Sequence, residues 1–406
     1  MSYSQDRVFA RLWERQNHSY ERLFKSFPIR PATCAKLESV KPHNALIDLA
    51  AGRSLDGTIN AEIVRSAEEH RLGGILKTAM DHGLAVESAA ALELNKIDAL
   101  GWARNRMLLD ACNEIAQVAV QLGVDLFVIK GIANEARWYS RLGERPAWDV
   151  DLVLAPWHRH RVGDLLAALQ PRHSLLSDPS ELQSARLQSI DLGFHSLPID
   201  LHLDPLKLEV AATRKAGILF ENASTLSTDT DQSVRILGIE PSLVLAALHL
   251  NKDRFRYLLA YVDVVRILAD TSLDLGRAAR IAEALGLGRS FRSTVAAAHA
   301  DLRLAPPAGF ELNDWMWNRT WPASIRMLGA EGQDRFRYRQ FFLPLLEGGR
   351  WSEVLIASWH RLFPSPYQLW RNFPNEKGSY LGRLIRGRIR HRLTRLQRRR
   401  QHRLNH

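Results

Sequence analysis

The sequence predicts an α+β fold, with a small mixed sheet flanked on both sides by helical regions. Three observations predict it. Short runs of β-branched and leucine residues occur at Phe127-Val128-Ile129, from Asp149 to Leu154, and from Ile199 to Leu203. Apolar residues recur at three- and four-residue spacings before residue 122 and after residue 238, the period of a helix with one buried face. Gly123, Pro156, Pro198, Pro205, Gly238 and Pro241 fall where one pattern gives way to another.

In chain order, residues 1–40 are mixed, and Pro28 and Pro31 close a first short segment. After Pro42, Ala45, Leu46, Leu49 and Ala50 begin an apolar helix face, which Ile63, Ala67, Leu72, Ile75, Leu76 and Met80 continue. A long helix is predicted from about 87 to 121, with Leu108, Ala111, Ile115, Val118 and Ala119 inward and Gly123 as its stop. Phe127 to Ile129 reads as the first buried strand, and residues 131–140 as a helix ending near Gly143. The strand from Asp149 to Leu154 is closed by Pro156, and a helix follows over 158–169. A weak region with Pro171 and Pro179 leads to the third strand, between Pro198 and Pro205. Helix-rich sequence then runs from Gly238 to about 295, where Pro306, Pro307 and Gly309 break it.

Five regions result: a helical N-terminal region (1–121), a core (122–235), a second helical region (236–305), a Trp- and Phe-rich subdomain (306–376) and a tail (377–406). Trp315, Trp317 and Trp321 belong to the fourth, where packing explains them better than base stacking. No repeat of defined period is present.

Over the whole chain, 46% hydrophobic and 24% charged residues describe an ordinary globular protein. Cys34 and Cys112 have neither a CxxC nor a metal-binding spacing, which predicts a reduced, cytoplasmic protein with structural thiols. The polar start Met1-Ser2-Tyr3-Ser4-Gln5-Asp6-Arg7 does not read as a signal peptide, and no stretch predicts a membrane span. The net charge of +11 resides in the tail, which holds Lys377, ten arginines and no acid, so the remaining residues sum to zero. Ile385, Ile389, Leu393 and Leu396 make this tail a basic amphipathic helix. An anionic partner is therefore expected for it: nucleic acid, an acidic protein or a membrane surface, the last implying peripheral membrane association.

The chemistry centres on carboxylates inside apolar strands, where a lone charge is costly. Asp149 and Asp151 are two residues apart, so both point to one face at roughly 6–7 Å. Such like charges oppose each other unless a divalent metal lies between them. If the three strands are neighbours, Asp200 converges with the pair, giving the geometry of a two-metal site for phosphoryl or nucleotidyl transfer. Magnesium suits these hard oxygen ligands, with manganese as a substitute. Lys130-Gly131 stands between a strand and a helix, where backbone approaches phosphate and the lysine meets a triphosphate. Arg145 is placed for similar work. Neither GxxxxGK[ST] nor GxGxxG is present.

Taken in order, Lys130-Gly131, Tyr139, Arg145, Asp149-Val150-Asp151-Leu152-Val153 and Ile199-Asp200-Leu201-His202 resemble the uncharacterised nucleotidyltransferase family of the DNA-polymerase-beta-like superfamily. The resemblance continues through Leu245-Ala246-Ala247-Leu248-His249-Leu250, Tyr261-Val262-Asp263-Val264 and Leu362-Phe363-Pro364-Ser365-Pro366, covering roughly residues 45–376. The superfamily's usual turn carries Gly-Ser, whereas this family carries Lys-Gly, as here. The resemblance implies a polymerase-beta-like nucleotidyltransferase core at 122–235 and a substrate-binding role for 236–305. It implies Asp149 and Asp151 as metal ligands, Asp200 as the third carboxylate, and a nucleoside triphosphate, ATP above others, as substrate. His202, His249 and Asp263 are candidates for the cleft or its supporting groups.

The expected activity is metal-dependent transfer of a nucleoside monophosphate to an acceptor hydroxyl, with release of pyrophosphate. Two alternatives stand beside it: a non-catalytic nucleotide- or partner-binding protein that keeps the fold, and a protein that binds anionic surfaces through its tail. Neither acceptor nor oligomeric state is encoded in a recognisable motif.

Overall fold

A computed structural model describes residues 42–169 except 56, and 188–310 except 195–196, 207–210, 228–232 and 254. Beyond them it describes Phe363, Leu369 and residues 379–390 except 383 and 388. Pro42 opens α1 (Pro42–Ala50), at a position where its missing N–H leaves no bond unmade. The Asn60 side chain caps α2 (Ala61–Glu69) by accepting from the Ile63 N–H at 3.0 Å. Next come α3 (Gly73–Asp81) and the 34-residue α4 (Ser88–Gln121), against which α2 and α3 pack. Of the predicted helix faces, Ala45, Leu46, Leu49, Ala50, Ile63, Ala67, Leu72, Ile75 and Leu76, then Leu108, Ala111, Ile115 and Ala119 on α4, are buried, while Met80 and Val118 are partly buried.

Among the described residues the sheet has six strands where three were expected. They are β1 (Leu126–Ile129), β2 (Val150–Leu154), β3 (Ser189–Phe194), β4 (Leu197–His202), β5 (Ser224–Ser227) and β6 (Ser233–Ile236). Their order is β3-β4-β2-β1-β6-β5, with β2–β4 and β1–β6 parallel and the other pairs antiparallel. The sheet is mixed, as expected. Neither β5 nor β6 announces itself, because four residues with a serine at the start cannot separate alternation from a turn. Gly193 similarly weakens the signal of β3.

Between the strands lie α5 (Gly131–Trp138) and a 3-10 segment (Pro156–Arg161) that delays the predicted helix until α6 (Val162–Leu169). A further 3-10 segment (Ala211–Phe220) precedes β5. After the sheet come α7 (Ile239–Lys252), α8 (Leu258–Leu268), α9 (Leu275–Ala284) and α10 (Gly288–Asp301).

Strand alternation divides the sheet into two faces. Leu126, Val128, Val150, Leu152, Leu154, Ile199, Leu201, Val234 and Ile236 join one core with α4 and α6. Phe127, Ile129 and Val153 point the other way, into a second core that unites α1–α3 with α7–α10. Asp151, Asp200 and His202 share this second face by alternation. α7 buries Leu243, Val244, Leu245, Ala246, Ala247 and Leu250, and forms the axis of that core.

No helix among the described residues is long and apolar enough to cross a membrane. In the tail, Leu384 is buried while Ile385 and Ile389 are half exposed. Leu393, Leu396, Cys34, Pro171, Pro179 and the Trp315, Trp317 and Trp321 cluster lie outside the described residues. Cys112 is buried as a free thiol, and burial raises its pKa far out of the reactive range.

Candidate active site

The site starts from strand register. β2 and β4 run parallel with Asp151 directly beside Asp200, so their side chains emerge together on one face. Two residues on, His202 shares that face and is fully buried. Its Nε2 lies 2.8 Å from Asp151 Oδ1 and 3.4 Å from Asp200 Oδ2. Asp151, Asp200 and His202 form a group able to hold a divalent metal, with one ligand atom of each within 4.8 Å of the others. Two carboxylate oxygens and an imidazole nitrogen suit magnesium less strictly than an all-oxygen set, and suit manganese well.

β1 ends at Ile129, opposite Asp151, and delivers Lys130 to the same place. Lys130 Nζ donates to Asp151 Oδ1 at 2.8 Å, with both side chains largely buried. Burial alone would lower the lysine pKa, but the charges of Asp151, Asp200 and Asp149 outweigh it and raise it. Burial would likewise raise Asp151, yet the Lys130 charge and the His202 hydrogen bond hold it well below the usual carboxylate range. Lys130 adopts φ +53°, a backbone conformation that costs a non-glycine residue of order 1–3 kcal/mol. Gly131 follows as the first residue of α5.

Asp149 immediately precedes β2 and lies outside the three-residue metal group, although its field reaches Lys130. The predicted carboxylates thus divide: Asp151 and Asp200 meet side by side, and His202 occupies the third position of the group. His249, in the last turn of α7, feels the charges of Lys130 and Asp151. Its Nε2 is 3.4 Å from Asp253, and burial lowers its pKa despite that neighbour.

A family profile described as "Uncharacterised nucleotidyltransferase" matches residues 60–302, more than half of the chain. The chain belongs to the uncharacterised nucleotidyltransferase family. Among curated proteins, none matches it. The matched span contains every predicted site residue, and the mixed sheet fits the polymerase-beta-like fold.

In this family member the Arg145 side chain has a partner that its position in sequence does not reveal. It pairs bidentately with Asp263 of α8, Nε to Oδ1 at 2.8 Å and Nη2 to Oδ2 at 2.7 Å, with both groups buried. Tyr139 Oη donates to the same Asp263 Oδ1 at 2.7 Å. The guanidinium therefore acts as a strut between α8 and the loop that feeds β2. Its remaining nitrogen, Nη1, is directed at Gly131, 3.5 Å from where a Cβ would stand there.

Other groups fix the same loop, and sequence reasoning missed them. Glu135 of α5 accepts from the Gly143 N–H at 2.6 Å and from Asn105 Nδ2 at 2.6 Å, and Asn105 Oδ1 accepts from the Ala147 N–H. Glu144, fully buried, binds Arg266 Nη2 at 2.6 Å and the Ser140 hydroxyl at 2.6 Å. Burial would raise Glu144, but Arg266 and Ser140 hold it below the usual range. Gly74 of α3 abuts the loop so closely that a Cβ would lie 2.2 Å from the Gly143 carbonyl oxygen. The available signal was the placement of Glu135 among Ile132, Ala133 and Trp138, a carboxylate on an apolar helix face.

Burial pushes the Glu135 carboxyl up to about 7, against the lowering effect of the donors around it. A folded-state pKa above the unfolded value of 4.5 gives stability at low pH that is lost as pH rises through about 7. Wild type is therefore expected to lose stability relative to Glu135→Gln between about pH 5 and pH 8, measured by urea unfolding. A difference between the two proteins that does not change with pH would remove this titration from the fold.

Proposed function

We propose that this chain transfers a nucleoside monophosphate from a nucleoside triphosphate to an acceptor hydroxyl, releasing pyrophosphate. The observation that carries the reading is the side-by-side register of Asp151 and Asp200, joined by His202 and faced by Lys130. Such a group is costly to build into a sheet and is explained by binding a cation and the phosphates it accompanies. Asp151, Asp200 and His202 would hold the metal, with Asp149 at the margin. When bound, a divalent ion supplies neutralisation of phosphate charge and lowers the pKa of the attacking hydroxyl.

The chain's own groups have distinct work in this reading. The N-terminus of α5 at Gly131 and the Lys130 ammonium receive the triphosphate, and Arg145 Nη1 adds positive charge beside Gly131. Asp200 accepts the proton of the acceptor hydroxyl. The hydroxyl oxygen bonds to the α-phosphorus, the α–β bridging bond breaks, and pyrophosphate leaves toward Lys130. His202 Nε2, 2.8 Å from Asp151 Oδ1, helps to fix the position of that carboxylate.

A transfer screen with α-labelled ATP and the other nucleoside triphosphates, across sugar, antibiotic, nucleic-acid and protein acceptors, tests the reading. Label is expected in one acceptor class with magnesium or manganese, and none after chelation. One observation favours a second reading: the Lys130–Asp151 pair already supplies a cation to the acidic group. A non-catalytic nucleotide-binding protein would bind nucleotide without releasing pyrophosphate on any acceptor.

A further inference from the structure

A row of ring-backed arginines reaches Trp148, the residue before Asp149, and takes no part in the chemistry above. Trp148, immediately before Asp149, is 47% exposed. Arg104 of α4 stands 4.1 Å over its ring, and Arg71 approaches the same ring at 5.5 Å. Arg71 also lies 4.1 Å over Tyr257, and Arg256 lies 4.8 Å over that ring. Three guanidiniums and two rings thus form one continuous row, Arg104–Trp148–Arg71–Tyr257–Arg256, each arginine sharing a ring with the next.

Three features set this row apart from ordinary surface basicity. None of the three arginines makes an ion pair among the described residues, while the chain outside the tail carries equal numbers of basic and acidic groups. The Nε of Arg256 is buried and has no acceptor among the described residues. Arg71 occupies, at φ +63°, the residue after the α2 cap, with Leu72 N–H bonded to the Ala67 carbonyl and Arg71 N–H to that of Glu68. Glycine fits that position without strain. The arginine there is what links the two rings into one row.

We infer that this row binds the phosphodiester backbone of a single-stranded nucleic acid whose terminal hydroxyl is the acceptor in the transfer. The inference rests on the transferase reading. A guanidinium held flat on a ring keeps its N–H edge for phosphate oxygens, which it meets as a fork. A row of cations uninterrupted by acids matches a repeating anion better than a single phosphate group. The exposed indole of Trp148 adds a surface on which a base stacks. Trp148 is three residues before Asp151, so the two lie at most about 11 Å apart along the chain, and a strand tracked past Trp148 can bring its end to Asp151. There the terminal oxygen bonds to the α-phosphorus, its proton passes to Asp200, and pyrophosphate departs.

The test uses the full chain and 5′-fluorescein single-stranded RNA and DNA of about 20 nucleotides, read by anisotropy across a KCl series. The tail contributes equally to all variants and cancels in the comparison. Arg71→Ala/Arg104→Ala/Arg256→Ala is expected to weaken binding at least tenfold and to reduce the log–log salt slope by about 2, near 0.7 per lost phosphate contact. If that variant has no thermal unfolding transition, Arg104→Gln alone is read the same way, with an expected slope change of about 0.7. Wild-type affinity and slope in a folded triple variant overturn the inference. So does row-dependent binding to phosphatidylserine vesicles with no row-dependent binding to oligonucleotides. Transfer from α-labelled nucleotide to a non-nucleic acceptor, with oligonucleotide binding indifferent to the row, removes this inference and leaves the transferase reading standing. Row-dependent oligonucleotide binding with no transfer to any acceptor removes the transferase reading instead.

Discussion

Asp151→Asn is expected to lower nucleotidyl transfer by about 10³-fold or more, the scale of losing a charge that acts directly on the reacting phosphates. Asparagine keeps the oxygen that accepts from Lys130 and contacts His202 but carries no charge. Among the described residues the Lys130 ammonium then retains Asp200 and Asp149 as opposite charges, at a stability cost of about 1–3 kcal/mol. Label incorporation and a thermal melt separate the two effects, and unimpaired transfer by a folded variant would sink the mechanism. pH gives a further signature. Because the Asp151 pKa is depressed, its stabilisation is present above the ordinary carboxylate range and is lost as pH falls through the lowered value. The variant lacks that acid-side loss.

Asp263→Ala is expected to destabilise the fold by about 3–5 kcal/mol, because it leaves the buried Arg145 guanidinium without a counter-charge. The Tyr139 hydroxyl loses its acceptor at the same time. Chemical unfolding measures the loss. Arg145→Met with Asp263→Leu should recover most of the stability, since neither charge then remains buried. Transfer should stay low in that double variant, because the loop entering β2 would no longer be tied to α8. A double variant no more stable than Asp263→Ala would show that the pair is not the source of the loss.

The acidic half of the candidate site is legible in the sequence because strand chemistry exposes it. Asp151, Asp200 and His202 interrupt apolar runs, and each interruption demands a reason. Lys130-Gly131 is legible because it sits where a strand must turn into a helix. Parallel pairing of β2 with β4 is not legible, since β3, weakened by Gly193, and the four-residue β6 supply the neighbours that complete the sheet. The loop supports are hidden for a different reason. Glu135, Glu144 and Asp263 find partners up to 124 residues away in sequence, and no local period encodes the distant pairings. Arg145 illustrates the limit: its residue type suggests phosphate, while its position commits most of its donors to Asp263.

The second hydrophobic core joins Ala45 through Leu94 to Leu243 through Phe310. During synthesis α1–α3 therefore wait for partners encoded about 150–200 residues later. At about 5–20 residues per second, α1–α3 spend of order 10–40 s with apolar faces uncovered. The intervening sheet has its own core on the α4 and α6 side and can consolidate during that interval. Arrival of α7 and α8 then closes the opposite face and, through Asp263, locks the loop ahead of Asp151. A nascent chain truncated before residue 263 therefore carries the carboxylates without the strut that holds their loop.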